Sequence, residues 1–502
     1  MEKKHNQSLY HIISEAVCDG ELPGQFSLPD EKPDNQISWA DGAWDGVNIY
    51  HMGFSRVEEE SQALMIKAVH AAAARNMEEA DRLFCDLGQK SSALVMIDEL
   101  QPYIIDHKEE LSAENLYDYA VHAVMDSSDR ECVKFGFSLL ELFNMDHDEK
   151  LKNVIRTLGL SDEFSLFAIF VMLRWQEANN EVYQLAKRIH GWGRIHAIER
   201  IEPETEEIRD WLLKEGVHNA VLPAYSALVC WQKSGAEEVL KRGPSREEFS
   251  GIRDIIGGLL DEGPILGISK IPGSADRLTE FLNQAGNWEL DLADYEVIRR
   301  IRLRYESENS KDASIVSLCR GILDSDNCRK TVRDAVKEGR GVGLAEDLRL
   351  EYKADIWNVL KTDFEEKYYL CGHLMRDAEY KEETLRIFRE RLPLEEMKTS
   401  PTDSIGFGQK YKLQLQLESI VQQLYRYPLE GVEFVETALQ SEPVTTRNCG
   451  MGALEAWVSA KKTPLLELMP DMYHLLCRLC EVEVDENVKK RMKGLLEGNT
   501  IA

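Results

Sequence analysis

The densest mixture of aromatic and ionisable side chains runs from Trp39 to His51, and comprises Trp39, Asp41, Trp44, Asp45, Tyr50 and His51. Two carboxylates four residues apart, with an imidazole close behind, are the groups needed to hold a cation or to exchange protons with a substrate. The same two aspartates precede Gly42 and Gly46. Asp-Gly pairs are also what turns use, because glycine enters the left-handed backbone region without strain. The turn is the preferred reading, and Asp41, Asp45 and His51 are the first catalytic candidates. His190 and His196 form a second pair, flanking Gly191, Trp192 and Gly193. They could offer two imidazoles to a metal or a substrate. The plainer reading is a tight helix-to-helix turn with Trp192 plugging the joint.

Other constellations fail on context. Gly339, Gly341 and Gly343 form a glycine-rich turn, but Leu344 stands where a third fingerprint glycine belongs, and 332–338 reads as helix rather than strand. A dinucleotide fold needs a strand feeding that turn. Cys371 lacks the glycines of a haem-thiolate loop and reads as a buried thiol. Glu215 with His218 has the Glu-x-x-His spacing of a di-iron helix, yet Gly216 between them marks a helix end. Cys477 and Cys480 are spaced like a redox pair but fall inside a helical stripe, where core thiols are expected. No metal site is expected.

These candidates need elements to position them, and helices dominate. Leu116, Ala120, Ala123 and Val124 share one helical face, as do Leu151, Val154, Ile155 and Leu158. The run from Phe164 to Leu173 reads as a core helix, about half the length needed to cross a bilayer. Gly159, Gly216, Gly235 and Gly243 fall where helices should stop. Ser234 with Glu237, and Ser245 with Glu248, have capping-box spacing. Helix pairs recur at about 35 to 45 residues, the period of HEAT-like repeats. Near the C-terminus, Thr463 and Pro464 open one long stripe through Leu479, onto which Val488, Met492 and Leu495 should fold. The fold class is therefore all-α, a HEAT-like helical-repeat solenoid with a small irregular or β-hairpin N-terminal segment. The expected divisions are an N-terminal segment over 1–60, a helical-repeat region over 61–262 and a second over 276–502. Proline- and glycine-rich breaks lie at 263–273 and 393–408.

The bulk composition narrows the partners. The 502 residues carry 89 acidic and 60 basic side chains, a net charge of −29. Such a surface repels phosphates and anionic lipid heads, which disfavours nucleic acid and membrane. Ten cysteines without a framework suit free thiols and a cytoplasmic setting. The opening residues lack a signal-peptide pattern.

The run Ser14–Val17, Gly20–Pro23 and Phe26–Pro29, followed by Trp39–Ala43 and Asp45–Gly46, resembles a family of Firmicutes proteins labelled limonene hydroxylase. The resemblance covers the whole chain. It implies oxidation of the monoterpene limonene to carveol or perillyl alcohol, then onward to carvone or perillyl aldehyde, with a nicotinamide cofactor. No catalytic residue carries over, because no reaction motif defines the family. Oxygen activation at a C–H bond needs haem, flavin, iron or copper, and the residues show no signature for these. Two expectations follow: a monoterpene oxidoreductase by resemblance, or a non-catalytic helical scaffold binding a protein partner, as such repeats commonly do.

Overall fold

The computed structural model describes residues 7–29, 39–53, 56–307, 313–406 and 408–498. Among these residues the structure is helical throughout, with one isolated β-bridge between Cys18 and Glu21. The chain is an all-α, HEAT-like helical-repeat solenoid. Its packing divides into two compact units, the first ending at Ile322 and the second beginning at Leu323. The proline- and glycine-rich stretch at 263–273 lies inside the first unit.

The first unit opens with α1 (Leu9–Ala16), α2 (Ala43–Val47), α3 (Glu59–Ala73), α4 (Met77–Lys90), α5 (Ala93–Asp106) and α6 (Ala113–Asp126). It continues through α7 (Arg130–Leu140), α8 (Glu149–Leu158), α9 (Asp162–Met172), α10 (Ala178–Ala186), α11 (Trp192–Arg200) and α12 (Glu206–Lys214). Then come α13 (Ala224–Lys233), α14 (Ala236–Arg242), α15 (Arg246–Leu259), α16 (Ser274–Ala285) and α17 (Leu292–Ser307). From α5 onward the odd-numbered helices pack side by side in sequence order, forming one continuous row. Successive members from α7 to α13 start at 130, 162, 192 and 224. The step is about 30 residues, shorter than expected but within the range of helical repeats.

Local chemistry explains most boundaries. Asp129 caps α7 through the Cys132 N–H, and Asp148 caps α8 through the Leu151 N–H. Ser245 and Glu248 form a complete capping box at α15, which satisfies two backbone donors at once. Ser234 and Glu237 do not form one. Gly235, at φ 76°, takes the cap position of α14, and Ser234 instead ends α13. The 164–173 run is the expected core helix as far as Met172, with Phe164, Phe167, Ala168, Ile169, Val171 and Met172 all buried, while Leu173 caps its end and is exposed. No helix among the described residues is long and apolar enough to cross a membrane.

The expected N-terminal hairpin is absent from 39–53, and Ile37 and Ser38 of its first run lie outside the described residues. Gly42 sits at φ 71° and starts α2 rather than reversing the chain. The helix then widens into a π-turn over Asn48–Met52. The Asp-Gly punctuation is a poorer guide here than the need to bury one side of the segment.

In the second unit the stripe after Thr463 is broken in two. Pro470 has no N–H to donate, so a short helix Leu465–Leu468 ends and a new one, Pro470–Val482, starts at the proline. Val488, Met492 and Leu495 of Glu486–Leu496 are buried in this unit, as their spacing requires. Among the described residues of this unit, Arg447 is a buried cation. It forms a two-pronged pair with Glu483 at 2.7 and 2.8 Å, and also donates to the Thr402 carbonyl at 2.8 Å. The 393–408 break is thereby tied back to helix Val444–Lys461. Both side chains of the pair are 1% exposed. Glu483→Ala strands a buried guanidinium, so the expected loss is about 3–5 kcal/mol of unfolding free energy in urea. A loss below about 1 kcal/mol would show that the pair holds nothing together.

Candidate functional site

The Trp39–Met52 segment lies across the row formed by α7, α9, α11 and α13. Gly42 makes the first contact. Its N–H donates to Glu163 Oε2 at 3.0 Å, and a Cβ there would strike the Asp162 carbonyl. Asp41 accepts the Leu28 N–H at 2.9 Å with one oxygen and Arg130 Nη1 at 2.9 Å with the other. Gly46 lies so close to the Trp192 ring that any Cβ would run into it.

Beneath α2 is a closed charge network. Lys134, 2% exposed, places its ammonium 2.8 Å from Asp45, 2.6 Å from Glu163 and 3.3 Å from Glu131. Arg130 joins Asp41 to Glu163, 3.2 Å away, and donates to the Leu28 and Pro29 carbonyls. Asp162 accepts the Gly193 N–H at 2.8 Å. Four carboxylates, Asp41, Asp45, Glu131 and Glu163, therefore share two cations, and Asp162 lies beside them without one.

The carboxylates settle unequally. Burial would raise Glu163, but Lys134 and Arg130 outweigh it and hold the group down at about 2. Asp45 and Glu131 are pushed up by burial, only partly offset by Lys134. Burial lifts Asp162 to about 6, against the Gly193 N–H and helped by the Asp41 and Glu163 charges. Lys134 stays charged, since its three carboxylates overcome the burial that would neutralise it. One oxygen of Asp45, Oδ1, is buried with no hydrogen-bond partner.

Next to the charges lies an aromatic layer. Tyr50 stacks near Trp192 and His196, with ring centres at 6.0 and 6.2 Å, and meets Tyr225 edge-on at 4.9 Å. Its hydroxyl donates to Glu199. Trp39 and Trp44 pair edge-to-face at 5.4 Å.

The five candidates are thus placed differently. Asp41 and Asp45 do come together, as ion-pair partners of helix side chains and not as a pair facing open space. His51 is exposed and shares a hydrogen bond with the Tyr225 hydroxyl at 2.6 Å. His196 is buried, and burial followed by the nearby Arg200 charge lowers it to about 3, which keeps it neutral. His190 points the other way, 60% exposed and 3.6 Å from Glu21, so the two imidazoles flanking Trp192 have separate surroundings. Trp192 does plug the joint. Gly191 crowds the Asp162 side chain and Gly193 the Ser165 side chain, and neither leaves room for a Cβ.

Sequence reading missed Arg130, Glu131, Lys134, Asp162 and Glu163. The available signal was charge inside apolar helix runs, Lys134 between Val133 and Phe135 and Glu163 before Phe164.

No family model matches the chain, and no curated protein matches it. Among solved structures it is similar to a circular tandem repeat protein with novel repeat topology and enhanced subunit contact surfaces. The identity is 15%, over 87% of each chain, with a TM-score of 0.12, too slight a likeness to bear on function. The site's own chemistry supplies two tests. Lys134→Met leaves Asp45, Glu131 and Glu163 without their shared cation, and the expected cost is about 3–5 kcal/mol in urea unfolding; an unchanged midpoint would remove the network from the account. Asp162, raised to about 6 from an ordinary 3.8, lends stability that is complete below pH 4 and disappears as pH rises through 6. The native protein's stability relative to Asp162→Asn should therefore fall by roughly 2–3 kcal/mol between pH 4 and pH 7.5. A rise over that range would reverse the assignment.

Proposed function

We propose that this protein is a non-catalytic helical-repeat scaffold that binds a protein partner. The observation that carries this reading is the two-sided character of the Ala43–Met52 segment. Its inner side uses Asp45, Gly46 and Tyr50 to lock onto α7, α11 and α13. Its outer side presents Trp44, 42% exposed, and Met52, 64% exposed, at positions 44 and 52, two helical steps apart. Beside them, His51 reaches Tyr225, whose N–H donates to the Leu222 carbonyl, and Leu222 and Val221 are also exposed. Exposed apolar side chains set on a rigid base mark an interaction surface.

The net charge of −29 favours a cationic partner, since opposite potentials speed and steer association. The ionisable groups of the site are engaged with one another rather than presented to a substrate: Asp41 and Asp45 are held by Arg130 and Lys134, and His196 is buried and neutral. That arrangement supports anchoring more than proton transfer or oxidation.

The test uses the full chain, cross-linked in cells of its source and analysed by mass spectrometry, alongside an assay with limonene, reduced nicotinamide and air. The scaffold reading expects a stoichiometric protein cross-linked near Trp44, Met52 and Val221, released by moderate salt and lost in a Trp44→Ala, Met52→Ser variant. Carveol or perillyl alcohol formed by the purified protein, with no such partner, would overturn it in favour of monoterpene oxidation.

A further inference from the structure

Cys85 lies in α4 and Cys132 in the first turn of α7, and their sulfurs stand 2.6 Å apart across the packing of the two helices. Cys132 is buried and Cys85 half-buried. Both are free thiols. Two unbonded sulfurs do not rest that close, and a disulfide bond is about 2.05 Å long. Asp129 also lies within reach of the two sulfurs, which makes a metal the rival explanation. Two thiolates on one tetrahedral zinc, however, sit about 3.8 Å apart, given Zn–S bonds near 2.3 Å. One Asp129 oxygen is also already used, accepting the Cys132 N–H at 2.8 Å. The geometry points to an oxidation site: Cys85 and Cys132 form a reversible cross-link that staples α4 to the start of α7.

The oxidant is hydrogen peroxide. The Cys85 sulfur, the one solvent can reach, attacks the peroxide oxygen, breaks the O–O bond and becomes a sulfenic acid as one water leaves. The Cys132 sulfur then attacks the sulfenic sulfur, forming the S–S bond and releasing a second water. Two thiols lose two electrons and hydrogen peroxide gains them. The contact with Cys85, together with burial, holds the Cys132 thiol in its protonated form, consistent with Cys85 reacting first.

The position gives the cross-link a consequence. Arg130 and Lys134 stand on the same turns of α7 as Cys132, and they anchor Asp41 and Asp45. Fixing that turn to α4 therefore stiffens the base on which the N-terminal segment is docked.

The test treats the reduced full-length protein with stoichiometric hydrogen peroxide, then counts thiols and maps peptides without reductant. The expected result is the loss of two of the ten thiols, a linked Cys85–Cys132 peptide two hydrogens lighter than its parts, and slower proteolysis within 39–53. Dithiothreitol should reverse all three. Cys85→Ser, a change at the half-buried partner, should abolish the linked peptide while leaving the circular dichroism spectrum unchanged. A cross-link mapped to other cysteines, or no loss of thiols, overturns the proposal. So does one equivalent of zinc retained by the pair with no linked peptide.

Discussion

The Lys134 ammonium is the charge around which the first unit is arranged. An isolated ammonium taken out of water would shed its proton or force its helix apart. Here α2 supplies Asp45, α7 itself supplies Glu131, and α9 supplies Glu163, all within 3.3 Å. One positive charge therefore fixes the relative position of three elements. The attraction also sets an order among the acids. Glu163, touched by both cations and by the Gly42 N–H, keeps its charge most firmly. The remaining acids outnumber the cations, and burial pushes Asp41, Asp45 and Glu131 up. Burying such a network is no guarantee of net stability over an apolar core of the same volume. What it does supply is register, since Asp45 of α2 is held by Lys134 and Asp41 just before it by Arg130.

Close backbone approach completes what charge begins. Gly46 admits the Trp192 ring, while Gly42, Gly191 and Gly193 crowd around Asp162. These glycines come from two distant parts of the chain, yet they serve a single contact between the N-terminal segment and the start of α11. The aromatic layer of Tyr50, Trp192 and Tyr225 then closes over it. An element that an isolated chain would hold weakly is pinned by charge on one side and by rings on the other, and its far side leaves Trp44 and Met52 exposed.

Much of the architecture was legible because helical periodicity is local. The stripes of α6, α8 and α9 can be read residue by residue, and the capping box at Ser245 needs only four residues to specify itself. Ser234 failed for an equally local reason, since a left-handed Gly235 already occupied the cap. Met469–Pro470 split a stripe that looked continuous, because a missing N–H outweighs apolar spacing. The N-terminal hairpin misled for a different reason. Asp-Gly turn signals cannot reveal that one side of the segment meets Lys134 and Trp192.

The sequence by itself determined the class of fold, the buried character of 164–173 and the presence of unusual chemistry around Asp41 and Asp45. Those properties follow from side-chain size, charge and spacing within one or two helical turns. Only the tertiary structure decided what the two aspartates do, that His190 and His196 part company, and that Cys85 meets Cys132. Each of those outcomes depends on groups separated by tens of residues or more and brought together by the order in which helices pack. No local pattern encodes such distances, because every partner in the network is an ordinary residue until its neighbour arrives.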